Sequence, residues 1–248
     1  MIWFIKNFLY FRKIKKKMKS IKLIILIIIF QLSCLAQYNV NQIPYVIEPT
    51  LGTLEPMSDD AVSSAKPIGF TFCFWGNRYT EFYIGSNGWI GFTAGQTTAF
   101  VPQLIPNNGA LTPRNAIFSP FHDLRPDITP PLPLTHIRYY TTGVAPYRRL
   151  VVSWTDLPMY QCTMIRSSQQ IIIYETTNII QTNITKKSNC IPWVGGKATH
   201  GLHNINGTQA VVVNTRNASL WSINPNGESW VFIPDFCCTV YNTEIIIE

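Results

Sequence analysis

The chain has 248 residues and a formal net charge of +7, but that charge is unevenly placed. Residues 1–36 hold eight Lys/Arg and no acid, which leaves 12 Lys/Arg against 13 Asp/Glu, a balance of −1, for residues 37–248. The basic excess belongs to the leader, so the body has no electrostatic footprint for phosphate and a nucleic-acid partner is excluded.

The leader reads as a secretory signal. Lys19 and Lys22 precede the apolar run Leu23–Phe30, and Gln31-Leu-Ser-Cys-Leu-Ala36 then offers small residues at Cys34 and Ala36. Cleavage is expected between Ala36 and Gln37. The apolar run is too short for a spanning helix, which needs ~20 apolar residues, so no transmembrane span is expected after signal removal. Met18 opens M-K-S-I-K, a normal signal start, and residues 1–17 are expected to precede the true initiator. Lipidation at Cys34 is the disfavoured alternative, because Gln31 stands where an aliphatic residue is expected. The expected location is secreted or on the outer cell surface.

Residues 37–66 read as an irregular lead-in with at most one edge strand, marked by Pro44, Pro49, Gly52, Pro56 and Ser58-Asp59-Asp60. Residues 67–248 read as one domain. Ile68–Phe74 alternates apolar residues on one face, as a strand requires. The stretch Tyr79–Ala94 joins two aromatic-rich runs at Asn87-Gly88, a signal for a two-residue type I′ hairpin turn. That loop length pairs Ser86 with Trp89 and Gly85 with Ile90, placing Phe82, Ile84 and Trp89 on one face and Tyr83, Ile90 and Phe92 on the other. Both faces are apolar, so the hairpin is expected to be covered on both sides.

Residues 93–115 read as a long loop, Ala116–Asp123 as a strand, and Pro126 to Pro133 as a proline-rich crossing. Further strands are expected at His136–Thr142, Arg149–Trp154, Gln169–Glu175, Asn178–Thr185, Ala198–His203, Thr208–Val213, Trp230–Ile233 and Thr239–Ile247. About a dozen short strands with turn residues between them predict an all-β, antiparallel β-sandwich.

Signal removal leaves Cys73, Cys162, Cys190, Cys237 and Cys238, and an exported protein permits disulfides. Cys162 and Cys190 flank a segment that can return as a hairpin and are the preferred pair; closing a loop of that size is worth ~3 kcal/mol in the chain-entropy model. Adjacent Cys237 and Cys238 point to opposite faces of a strand, and one of them could reach Cys73.

Several blocks carry a family resemblance: Ile43-Pro-Tyr45, Leu54–Asp60, Pro67–Asn77, Ile84-Gly-Ser-Asn-Gly-Trp-Ile-Gly-Phe92, Ala145–Trp154, Gly201–Asn204 and Gly207–Val213. Together they resemble the N-terminal extracellular β domain of Bacteroidota surface proteins that carry gliding-motility-associated or type IX secretion C-terminal modules and Ig-like or PKD repeats. The Asn87–Phe92 core also has a more distant likeness to nidogen-like extracellular domains. The resemblance covers about residues 40–234 and implies an exported, surface-displayed module with no assigned chemistry. Two departures stand out. The family's tryptophan before an aspartate is replaced within Pro120-Phe-His-Asp123, and the repeats that usually follow do not occur before Glu248, which fits a single-domain member or a truncated frame.

Candidate chemistry is sparse. His200 and His203, three apart in a strand, face opposite sides and do not suit a shared metal. His122-Asp123 is half of an acid–base pair without a nucleophile motif, and Ser86 lies in a turn whose own groups its hydroxyl should cap. No catalytic residues are assigned and the chain is read as a non-enzyme. Asp59, Asp60 and Asp123 are the carboxylates best placed for calcium, the one cofactor considered, although Asx capping of turns by the S-D-D cluster is the preferred reading. Trp193 and Trp221 are the loop tryptophans and are assigned as binding residues for a surface glycan or protein ligand. Asn183, Asn206 and Asn217 sit in formal glycosylation acceptors and are read as ordinary turn and strand residues. The expected function is a non-catalytic adhesion or surface-assembly module. A lectin-like module, or less favourably a glycan hydrolase, is the alternative.

Overall fold

Strands whose apolar residues recur at every second position must bury one face, and two such sheets satisfy each other when stacked. The computed structural model describes residues 37–128, 136–223 and 226–235. Their strands are β1 (Tyr38–Ile43), β2 (Thr53–Leu54), β3 (Lys66–Phe74), β4 (Asn77–Gly85), β5 (Trp89–Gly91), β6 (Ala116–Phe121), β7 (His136–Thr142), β8 (Arg149–Met159), β9 (Cys162–Tyr174), β10 (Ile180–Lys186), β11 (Lys197–His203), β12 (Ala210–Val212), β13 (Ser219–Leu220) and β14 (Glu228–Pro234). One sheet runs β1-β14-β10-β9-β8-β7-β2; the other runs β12-β11-β6-β5-β4-β3, with β13 paired to β11. Every pairing is antiparallel. The expected sandwich is the fold. The predicted strand Thr239–Ile247, the cysteines at 237 and 238, the leader and most of the proline-rich crossing lie outside the described residues.

The core is the alternate set from both inner faces. Leu150, Val152 and Trp154 of β8 and Ile171 and Ile173 of β9 meet Ile68, Phe70, Phe72 and Phe74 of β3, Phe82 and Ile84 of β4 and Ile90 of β5. Fully burying a side chain of this size contributes about 1.5–3 kcal/mol. A smaller cluster of Trp89, Ile105, Ala116, Phe118 and Phe121 lies under the long loop 93–115. His203 fastens that loop: its Nδ1–H donates to the Pro113 carbonyl at 2.8 Å and its Nε2 accepts the Asn107 N–H at 3.2 Å. Asn217 holds both backbone groups of Ile105, and Asn183 is fully buried, so two of the three acceptor asparagines are occupied within the fold.

The lead-in is more ordered than its composition suggests. β1 is the edge partner of β14, and β2 pairs with β7 at the opposite edge. Between them the chain crosses the outer face of the first sheet. There Ser153, Gln170, Asn183 and Ser229 form one cross-strand row joined through side chains. Gln170 takes the Glu48 N–H at 3.0 Å and donates to the Glu48 carbonyl at 2.7 Å, and Ser229 accepts from Val46 N–H. A polar row beneath a strap of backbone exchanges hydrogen bonds as another strand would.

The central hairpin is real, but its register differs by one residue from expectation. Gly85 pairs with Trp89, Ile84 with Ile90 and Tyr83 with Gly91, which makes a three-residue loop of Ser86, Asn87 and Gly88. Gly88 alone carries positive φ in that loop, at 85°, the pattern of a type I turn closed by a left-handed glycine. A one-residue shift exchanges faces. Ile84 and Ile90 therefore enter the main core together, while Trp89 points to the smaller cluster under the long loop. The Ser86 hydroxyl does not cap its own turn; it accepts the Ala61 N–H at 3.0 Å.

The disulfide Cys162–Cys190 is present, with Cα atoms 5.8 Å apart, and ties the start of β9 to the loop after β10. Cys73 is buried in β3.

Two substitutions test this packing. A Cβ at Gly88 would fall on the Gln169 amide nitrogen and the Pro120 carbonyl as well as adopting positive φ. Gly88→Val should therefore cost roughly 2–6 kcal/mol and sharply reduce soluble yield; normal thermal stability would contradict the turn assignment. Cys162→Ser with Cys190→Ser should lower stability by about 3 kcal/mol in denaturant unfolding, and an unchanged midpoint would show that the bridge does not constrain the chain.

Candidate functional site

The hairpin tip is buried between two other segments rather than exposed. Asn87, 2% exposed, uses its whole side chain: Nδ2–H donates to Asp60 Oδ1 at 2.8 Å and Oδ1 accepts the Leu124 N–H at 2.8 Å. Its backbone carbonyl accepts the His122 N–H, and Ser86 pairs with Ala61 in both directions. Residues 60–61 and 122–124 are thereby clamped to the same turn. On its other side the 122–125 segment meets the β8–β9 hairpin, through Tyr160 N–H to the Asp123 carbonyl and Arg125 N–H to the Pro158 carbonyl. β6 ends at Phe121, so His122 and Asp123 follow the strand rather than continuing it.

This arrangement brings Asp59, Asp60 and Asp123 together, with one oxygen from each lying within 4.8 Å of the others. Trp193 joins them: its indole N–H donates to Asp123 Oδ2 at 2.7 Å. The ring is half-buried, with the Tyr160 ring centroid at 4.6 Å and that of Phe100 at 6.0 Å. The Cys162–Cys190 bridge and the Trp193 N–H to Cys190 carbonyl bond hold this loop in place. Arg125 contacts Asp59 at 3.4 Å and Asp127 at 3.2 Å, and its guanidinium lies 5.7 Å from the Tyr160 centroid. Burial first, and then the Asp60 and Asp59 charges, push the Asp123 carboxyl up to about 7 against the opposing Trp193 hydrogen bond. Asp59 is also raised, by burial and by the charges of Asp60 and Asp127, while Arg125 pulls it down.

The other assigned residues lie elsewhere. Trp221 is 8% exposed, not an open platform. Its indole N–H donates to the Ala198 carbonyl, while the Arg216 guanidinium and the Lys187 ammonium lie 4.3 and 4.8 Å from its ring centroid. The loop composition around it gave no hint of that cationic packing, and the expected binding face is covered. Lys187 is itself buried; burial, then Arg216, lowers its pKa to about 7. His200 and His203 do face opposite sides: His200 Nε2 meets Thr182 Oγ1 at 2.8 Å in the core, and His203 holds the long loop. His122 Nε2 lies 3.2 Å from Ser167 Oγ, but the two are 1% and 0% exposed, and burial holds the imidazole neutral with a pKa of about 3.

Tyr160, Phe100, Arg125 and the clasping side of Asn87 are site residues that sequence reasoning did not assign. Arg125 follows Asp123 by two residues and was the one within reach of local inspection. Tyr160 and Phe100 arrive through a hairpin tip and a long loop whose paths no periodicity encodes.

The raised Asp123 pKa sets a pH dependence. Between about 4 and about 7 the folded chain keeps a proton on this group that the unfolded chain, at the ordinary 3.8, has released. The folded state then binds more protons, so this group's contribution to stability is greatest at low pH and falls as pH rises. In metal-free buffer, the melting-temperature difference between Asp123→Asn and wild type should move in the variant's favour from pH 4 to pH 7, the interval between those two pKa values. A difference that stays constant with pH would contradict it.

The family model described as NIDO related matches residues 37–234, from the first described residue to the end of β14. No match exists among curated proteins or among solved structures. NIDO-related domains are extracellular, which suits a disulfide, and among the described residues no helix is long and apolar enough to cross a membrane. With the match covering most of its length, the chain belongs to the NIDO-related family.

Proposed function

We propose that this chain is a non-catalytic, secreted or cell-surface module that serves adhesion or surface assembly. The observation that carries the reading is the aromatic shelf that Trp193, on the disulfide-anchored loop, forms with Tyr160 of the β8–β9 hairpin tip and Phe100 of the long loop, beside three carboxylates. Aromatic anchors held by a rigid scaffold bind partners without paying much ordering entropy. His122, Ser167, His200 and His203 are occupied by buried hydrogen bonds rather than presented to a substrate. The family's extracellular character supports export, and the resemblance to the leading domains of Bacteroidota gliding-motility-associated surface proteins supports display on the cell exterior.

A lectin-like reading has one specific observation in its favour: the half-buried Trp193 ring stands at a cluster whose half-buried Asp59 and Asp60 can accept sugar hydroxyls. Glycan arrays and bead-to-cell adhesion separate the two. The adhesion reading expects retained cell binding with silent arrays, lost on Trp193→Ala while the fold is kept. A specific array signal lost on the same substitution would transfer the assignment to the lectin reading, and adhesion untouched by Trp193→Ala would overturn the shelf as the binding face. Trp221→Ala should behave differently, losing roughly 3–5 kcal/mol of stability as a buried aromatic.

A further inference from the structure

We infer that Asp59, Asp60 and Asp123 form a calcium site that fastens the lead-in segment and the Trp193 loop to the tip of the β4–β5 hairpin. A group of carboxylates alone would not carry this, since acidic clusters at turns are common. Three features of the cluster do.

The first is orientation. Each carboxylate has one oxygen held by a group from a different part of the chain: Asp60 Oδ1 and Asp123 Oδ2 accept N–H bonds from Asn87 and Trp193, and Asp59 Oδ2 is ion-paired with Arg125 at 3.4 Å. Outer donors of this kind orient the ligands of metal sites.

The second is what that leaves over. Asp59 Oδ1 and Asp123 Oδ1 are shut off from solvent and accept no hydrogen bond, and Asp123 is only 4% exposed. Buried acceptors without donors are rare in folded proteins, and two of them in one cluster ask for a shared partner. A cation is the partner that suits them, because three carboxylates are held together and Arg125 divides itself between Asp59 and Asp127.

The third is size. Oxygens lying within 4.8 Å of one another can be bridged by one ion with metal–oxygen distances of about 2.3–2.6 Å. Magnesium, at about 2.0–2.1 Å in a strict octahedron, is the poorer fit. Three carboxylates with water completing the shell correspond to the weak calcium sites of extracellular modules, with dissociation constants of roughly 10⁻⁴–10⁻³ M.

The site requires nothing of the adhesion reading. Its bound ion would replace mutual repulsion with shared attraction, so its effect appears first as stability and as rigidity of the Trp193 loop. The test uses the full secreted chain, stripped with chelator and then titrated with calcium alone. Calorimetry should give a single site, and saturation should raise the melting temperature by roughly 3–10 °C. Tryptophan fluorescence should change as calcium takes up the charge of the Asp123 carboxylate that accepts the Trp193 indole N–H. Asp60→Asn and Asp123→Asn should each weaken binding roughly 10–100-fold while melting cooperatively in chelator. No binding at millimolar calcium, an equal response to magnesium, or full affinity retained in both variants would each overturn the assignment.

Discussion

A β-turn that is buried must find partners inside the protein for every polar group it exposes. The tip Ser86-Asn87-Gly88 sits between residues 60–61 and 122–124 with Ser86 and Asn87 at 1% and 2% exposure, so its amide, hydroxyl and carbonyl groups cannot fall back on water. They are satisfied by Ala61 and Asp60 on one side and by His122 and Leu124 on the other. Gly88 makes room for the Gln169 amide and the Pro120 carbonyl, which hydrogen-bond to each other at 2.9 Å. Trp154 adds a bond from its indole N–H to the Gly85 carbonyl and links the tip to the facing sheet. Because an unpaired buried group costs about 1–3 kcal/mol, losing one clasp destabilises the segment it holds.

The acidic cluster follows from this constraint. Asp59 and Asp60 lie beside Ala61, which is held by Ser86, and Asp123 lies between two residues held by Asn87. Neither segment has regular secondary structure to place it; the turn does that work. The Cys162–Cys190 bridge then supplies the third side by fixing the loop that carries Trp193. Scaffold and site are thus coupled: the same side chain that ends the hairpin orients a carboxylate of the candidate cation site.

Period-2 patterning made the sandwich legible, and β3, β4, β7 and β11 lie close to where alternation places them. The disulfide was legible from its hairpin-like spacing. The loop length of the central hairpin was not, because Asn-Gly suits both a two-residue loop and a three-residue loop closed by glycine, and the choice depends on what covers Trp89. The lead-in was underestimated since its order comes from bonds to Gln170 and Ser229, not from its own propensities. For the candidate site, residue type nominated the three aspartates and Trp193 one by one, but their meeting is a tertiary fact. Trp221 shows the opposite limit: nothing in its neighbourhood announces that Arg216 and Lys187 will cover it.

The buried turn organises the segments that carry the carboxylates, and native-state hydrogen exchange of the Leu124 amide reads that directly. That N–H has the Asn87 side chain as its acceptor. In the wild type it should exchange only through global unfolding, as slowly as the core amides of β9, and in Asn87→Ala it should exchange through local opening while those core amides keep their protection. A Leu124 amide that exchanges freely in the wild-type protein, or equally slowly in the variant, would show that the turn does not hold residues 122–124 in place.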